Sequence, residues 1–182
     1  MTDLRIRRAG ISDARAIAEI LIGSWRETYA GIMPVEHLAA LDVAERARRW
    51  RGLLAEPQQL STFVVSRGEG PPEGFGACGA PRSQRLAAAG FVSEFHALYL
   101  LRSIQRRGAG TALMRHMARR LRAEGATNAG VWVFRDNPGA RRFYEALGGE
   151  ELGLEGVWGP NGIDYPDLAY GWRDLGALAA PE

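Results

Sequence analysis

The sequence predicts an α/β or α+β domain built around a mixed sheet. Three observations carry this expectation. The apolar positions alternate between periods of two and of about 3.6 in the order strand, helices, three strands, helix, strand, helix, two strands. One run, Glu94 to Gly110, passes from an apolar strand pattern through a basic glycine turn directly into a helix pattern. The chain, at 182 residues, is long enough to bury one sizeable core.

Taken in order, Leu4–Ala9 alternates apolar and basic residues and reads as a first strand. Ser12 is a suitable N-cap for a helix carrying Ile17, Ile20, Leu21 and Trp25 at helical spacing, which fades near Tyr29–Gly31. Pro34 opens a short helix with Leu38 and Leu41, and Asp42 caps another from Val43 to Leu54. Thr62–Ser66 is rich in strand formers. A Gly/Pro turn at 68–74 leads to a returning strand, Phe75–Ala80. Pro81–Gly90 reads as a mobile loop, followed by a central strand over Phe91–Leu101.

A helix is expected from Gly108 to about Glu124, ended by Gly125. Val131–Phe134 is a strand, and Asp136-Asn137-Pro138 breaks it and starts a helix over Gly139–Leu147. The remainder is a weak strand at Glu151–Leu154, a glycine-rich loop through Gly159-Pro160-Asn161-Gly162, and a last strand at Leu168–Trp172. A single domain over residues 1–175 and a C-terminal tail over 176–182 are expected.

Composition narrows the function classes. The net charge of +2 does not demand a nucleic-acid partner. All 23 basic residues are arginine, so no lysine can form a Schiff base, and phosphates or carboxylates are met by bidentate guanidinium groups. Cys78, the single cysteine, permits no intramolecular disulfide and reads as a buried, inert thiol. The N-terminus lacks a signal-peptide core and no apolar run reaches membrane-spanning length, so a cytoplasmic protein without a membrane partner is expected. No His/Cys/carboxylate cluster suggests a metal, and no Gly-x-x-x-x-Gly-Lys run suggests nucleotide hydrolysis. His37 and His116 read as surface residues.

The run Gln105-Arg106-Arg107-Gly108-Ala109-Gly110 has the chemistry of a pyrophosphate cradle. A helix N-terminus offers unpaired N–H groups, the glycines let an anion approach the backbone, and the arginines add charge. In its strand–helix setting it resembles the Gln/Arg-x-x-Gly-x-Gly/Ala signature of the GNAT superfamily of acetyl-CoA-dependent N-acetyltransferases. Asn137-Pro138-Gly139-Ala140-Arg141-Arg142-Phe143-Tyr144-Glu145-Ala146-Leu147-Gly148 is similar to that family's Asn-x-x-Ala-x-x-Phe-Tyr-x-x-x-Gly block. Trp25–Pro34 also resembles bacterial members. Two positions depart from the pattern: Gly149 stands where members often have Phe, and no Pro-acidic pair precedes the turn.

The resemblance implies a mostly antiparallel mixed sheet flanked by helices, with splayed central strands forming an acetyl-CoA cleft. It implies that pyrophosphate lies on the N–H groups of Arg107 to Thr111, within a set formed by Gln105, Arg106, Arg107, Gly108, Ala109, Gly110 and Thr111. The pantetheine arm would pair with Leu98, Tyr99 and Leu100, one of whose N–H groups faces the thioester oxygen. Asn137, Ala140 and Phe143 would hold the cofactor from the other side. Tyr144 matches the family's general acid near the sulfur; by periodicity alone it is an aromatic packed beside Phe143. Glu94, eleven residues before Gln105, matches the base glutamate of histone-acetylating members; otherwise it is a solvated or salt-bridged strand end. His96 shares its strand face and is a base, a relay or a structural histidine. Trp25 and Tyr29 would line the acceptor side, or simply pack the first helix.

The implied activity is direct attack of an amine, from a small molecule or a peptide, on acetyl-CoA in a ternary complex. Homodimers are common in the superfamily. A CoA-binding regulatory module without turnover is the alternative. Nucleic-acid binding by the arginine-bearing helix Arg107–Arg122 is a third, resting only on charge.

Overall fold

The computed structural model describes residues 3–56, 58, 60–159 and 164–180. The expected loop at Gly159–Gly162 lies, from Pro160 onward, outside the described residues. The elements are β1 (Leu4–Arg8), α1 (Ala14–Thr28), α2 (Val35–Ala39), α3 (Val43–Ala55), β2 (Ser61–Arg67), β3 (Gly74–Gly79), α4 (Gln84–Ala88), β4 (Glu94–Leu100), α5 (Ala109–Ala123), β5 (Ala129–Phe134), α6 (Pro138–Ala146), β6 (Glu150–Trp158), β7 (Tyr165–Trp172) and α7 (Leu175–Ala179). The seven strands form a mixed sheet in the order β1-β2-β3-β4-β5-β7-β6, flanked by helices. Internal contacts divide the chain into one unit of residues 1–77 with 97–117, and another of 78–96 with 118–182.

In the first unit β1 runs antiparallel to β2, with Ile6 opposite Val65. The apolar stripe of α1 buries Ile17, Ile20, Leu21 and Trp25 as its spacing predicts, and the helix packs on α3. Asp42 caps α3 by accepting the Glu45 N–H, and Trp50 from that helix meets Phe75 of β3 edge-on at 5.1 Å. Two expectations change here. Ser12 does not cap α1: a 3₁₀ turn, Ile11–Asp13, precedes the helix, and Asp13 does the local work. Its carboxylate accepts the Gly10 N–H at 2.8 Å and both Arg7 guanidinium nitrogens at 2.7 and 2.8 Å. His116 is not a free surface residue either, since its ring meets Phe63 edge-on at 4.6 Å.

In the second unit β5 pairs antiparallel with β7, and β7 with β6. β4 enters parallel to β5, Glu94 opposite Gly130 and Phe95 opposite Val131. β6 is longer than expected because its glycines hide a strand that bulges between Glu151 and Glu155, where Gly153 takes φ +66°. It is an edge strand, and Glu150, Glu151 and Glu155 keep that edge charged. Pro81–Gly90 is not a loop throughout: it contains α4, with Leu86 fully buried. Gly130 makes room for that leucine, because a Cβ there would stand 2.6 Å from Leu86 Cδ2. Cys78 is buried, as its strand context predicts. α7 runs from the last residue of the expected domain into the expected tail, burying Leu175, Leu178 and Ala179.

Candidate active site

The glycine turn is built from its own neighbourhood. Ile104, fully buried, pins the turn to the core of the first unit. Gln105 reaches back and donates from Nε2 to the Leu100 carbonyl at 2.9 Å, closing the turn on the end of β4. Arg106 sits at φ +58° and Gly108 at φ +84°, two left-handed residues that reverse the chain sharply. The Ala112 N–H then closes the first helical bond on the Gly108 carbonyl at 2.9 Å. By helix geometry the N–H groups of residues 108–111 are left without intrahelical partners. Nothing lies within 4 Å of where a Gly108 Cβ would be, and Arg106, Arg107 and Gly108 are all exposed. Ala109 and Gly110 are buried and start the packed stripe of α5. Positive helix-end dipoles, open space and two exposed guanidinium groups give the turn the chemistry that suits an anion.

The half of β4 that leads into the turn, residues 97–100, is half-buried throughout. Tyr99 gathers the expected acceptor-side aromatics of the same unit. Its ring lies 6.3 Å from Trp25, which meets Tyr29 edge-on at 5.6 Å. Trp25 and Tyr29 are 7% and 9% exposed, so packing of the first helix claims most of both. Glu27 anchors the turn's other side by accepting the Arg102 N–H at 3.0 Å.

In the second unit Asn137 caps α6, its Oδ1 accepting the Ala140 N–H at 3.1 Å, with Pro138 at the first helical position. The family-like block is therefore also a sound helix start. Tyr144 is buried against Trp172, Tyr170 and Phe143 with ring separations of 6.0, 6.3 and 5.4 Å. The departure at Gly149 has a packing cause: a Cβ there would come within 2.8 Å of Trp172 Cζ2 and 3.0 Å of the Tyr144 carbonyl. Trp172 fills the place a side chain would take and donates from Nε1 to the Leu147 carbonyl at 2.8 Å.

Glu94 and His96 share a partner that the sequence did not suggest, the turn entering α4. Glu94 is 3% exposed. Its Oε2 accepts the N–H groups of Arg82 at 2.8 Å and Ser83 at 3.2 Å, and its Oε1 accepts from the Arg82 guanidinium at 3.3 Å. His96 Nε2 lies 2.8 Å from the Ala80 carbonyl. A carbonyl only accepts, so the ring donates there and keeps its lone pair on Nδ1. Burial foremost, with the Arg82 charge, pushes the imidazole below its usual value, while the Ala80 carbonyl and Glu94 act the other way. Arg82 and Ala80 were missed because their partners stand twelve or more residues away. The one local signal was Ser83, whose Oγ accepts the Leu86 N–H.

Residues 17–149 match the model of the acetyltransferase (GNAT) family. The uncharacterized N-acetyltransferase YuaI of Bacillus subtilis is 33% identical over 173 residues, 95% of each chain. Among solved structures, the PaiA N-acetyltransferase of Thermoplasma acidophilum in complex with coenzyme A superimposes with a TM-score of 0.68 at 19% identity, covering 91% of this chain and 97% of that one. A GCN5-related N-acetyltransferase from Rhodopseudomonas palustris gives 0.71 at 22% identity over 94% and 96%. The chain belongs to the GNAT acetyltransferase family, whose members move an acetyl group from acetyl-CoA to an amine. It is an acyltransferase with the fold of that family. Among the described residues no helix is long and apolar enough to cross a membrane.

Proposed function

We propose that this N-acetyltransferase holds acetyl-CoA by its pyrophosphate on the N–H groups of Arg107 to Thr111 and transfers the acetyl group to an amine in a ternary complex. The observation that carries the reading is the left-handed, unobstructed Gly108 at the start of α5, closed onto β4 by Gln105. In this reading Leu98–Leu100 offer backbone partners to the pantetheine arm, with Asn137, Ala140 and Phe143 beside it.

The amine lone pair attacks the thioester carbonyl and the carbon–sulfur bond breaks. Tyr144 supplies the proton taken up by the departing thiolate. The geometry shifts the proposed base from Glu94 to His96. Glu94 has its oxygens committed to Arg82 and Ser83, whereas His96 carries an available Nδ1 lone pair and is uncharged near neutrality. Glu94 then favours the imidazolium formed as the amine proton arrives, a positioning and electrostatic role. A single catalytic domain and a cytoplasmic location complete the reading.

The test is release of CoA thiol by the purified protein with acetyl-CoA and a panel of amines, alongside Tyr144→Phe. Wild type turns over, and the variant loses about 100-fold or more in kcat with acetyl-CoA affinity nearly unchanged. An equal kcat removes Tyr144 as the acid. Binding of acetyl-CoA with no thiol release from any amine would favour a binding module without turnover.

A further inference from the structure

The helix that carries Tyr144 is closed at its C-terminal end by a backbone motif that lacks one part. The Gly149 N–H bonds to the Tyr144 carbonyl at 2.9 Å, and the Gly148 N–H to the Glu145 carbonyl at 2.9 Å. Gly148 takes φ +79°, and Leu147 is the cap residue. These two bonds are the paired closure of a Schellman motif, with Tyr144 three residues inside the cap and Gly149 two residues past it. In that motif an apolar side chain at the second position past the cap commonly packs on the residue three inside it. Gly149 has no side chain to offer, so the local contact on Tyr144 is missing.

Trp172, the last residue of β7, supplies that contact from a distant part of the sequence. Its ring meets the Tyr144 ring edge-on at 6.0 Å, with the planes at 84°. Its Cζ2 and Cε2 fill the space over Gly149, where a Cβ would stand 2.8 and 3.1 Å from them. Its Nε1 donates to the carbonyl of Leu147, the cap residue itself, at 2.8 Å. The indole is in turn held firmly. It is 4% exposed, its backbone stands opposite Ala129 of β5, and it meets Phe95 of β4 edge-on at 5.4 Å with the planes at 90°.

We propose that Trp172 is a positioning residue for acetyl transfer, one that sets the orientation of the Tyr144 ring and so the reach of its phenol oxygen toward the departing thiolate. The inference rests on the reading of Tyr144 as the acid. Tyr144 lies in the last turn of α6, where helices fray, so the helix backbone alone fixes its side chain poorly. A misplacement of about 1 Å at a reacting group costs up to about 100-fold in rate. The glycine at 149 and the tryptophan at 172 are then one exchange, in which the contact on the acid passes from the helix's own cap to the sheet.

A double-mutant cycle in kcat tests this. Thiol release is followed at saturating acetyl-CoA with butylamine and, separately, with water as the acceptor, because the thiolate needs its proton whichever nucleophile attacks. Trp172→Phe removes the Nε1 donor and the part of the ring that covers Gly149. It should lower kcat about tenfold with calorimetric acetyl-CoA affinity unchanged, and should have no further effect in the Tyr144→Phe background. Gly149→Ala pushes the indole from the other side and should behave in the same way, which keeps the test open where Trp172→Phe does not fold. An unchanged kcat in the single variants overturns the proposal. So does a loss that persists undiminished in the Tyr144→Phe background, which is the mark of a merely structural residue; with Tyr144→Phe itself slow, that result leaves the acid standing and removes Trp172 alone. Wild-type kcat in Tyr144→Phe removes the acid, and the role of Trp172 with it.

Discussion

Two turns in this molecule each lead into a helix, and they are built by opposite means. The turn into α5 is held by residues from its own sequence neighbourhood: Gln105 bonds to Leu100, Ile104 is buried, and Gly108 takes the left-handed conformation. The turn into α4 is held by Glu94, whose carboxylate gathers the N–H groups of Arg82 and Ser83 from twelve and eleven residues away. The first leaves its helix-end N–H groups open to an anion. The second spends a buried carboxylate on securing its own backbone. A turn that binds a ligand must stay unsatisfied until the ligand arrives, whereas a structural turn is satisfied within the chain.

The largest expected effect belongs to the structural turn. Leu86→Ala leaves a cavity over Gly130 and should cost about 3 kcal/mol in denaturant unfolding. It should leave acetyl-CoA affinity in the folded protein unchanged; a loss below about 1 kcal/mol would mean that α4 is not anchored by this side chain. Gly108→Asp should act in the reverse sense. It weakens acetyl-CoA binding by about 100-fold, through charge and obstruction, and costs only about 1–2 kcal/mol of stability for the left-handed backbone. Unchanged calorimetric affinity would refute the cradle.

The entry to α1 is an intermediate case, with Asp13 bridging Gly10 and Arg7. The Arg7 hydrogen bond foremost holds the Asp13 carboxyl below its usual value, with the Gly10 N–H and the Arg7 charge adding to it against burial. Its stabilisation is therefore complete above the unfolded value of about 4 and is lost as pH falls through the lower native value. Asp13→Asn should cost about 1–2 kcal/mol at neutral pH and flatten the acid limb of stability against pH. An unaltered limb would assign the acid sensitivity to other carboxylates.

The same contrast explains what was legible in the sequence. The α5 turn and the α6 cap could be read because their partners fall within a few residues: Gln105 with Leu100, Asn137 with Ala140. α4 reads as a loop in the sequence because its stability comes from Glu94 and from the space above Gly130, neither of which is local. β6 reads as shorter than it is because Gly153 and Gly156 lower strand propensity, although one accommodates a bulge and the other makes room for Asp167. A cavity around Trp132 and Asp167 has no pattern in the sequence, since β5, β6, β7 and α4 contribute to it one to three residues each. Glu94 and His96 were found by position on the strand, but their division of labour depends on Arg82 and Ala80.

Amide hydrogen exchange with and without acetyl-CoA tests the central claim most directly, because the proposed ligands of the cofactor are backbone N–H groups. Added protection is expected over Leu98–Leu100 and Arg107–Thr111 on saturation with acetyl-CoA, while the amides of Arg82 and Ser83, already held by Glu94, do not change. Saturation without added protection at Arg107–Thr111 would contradict it.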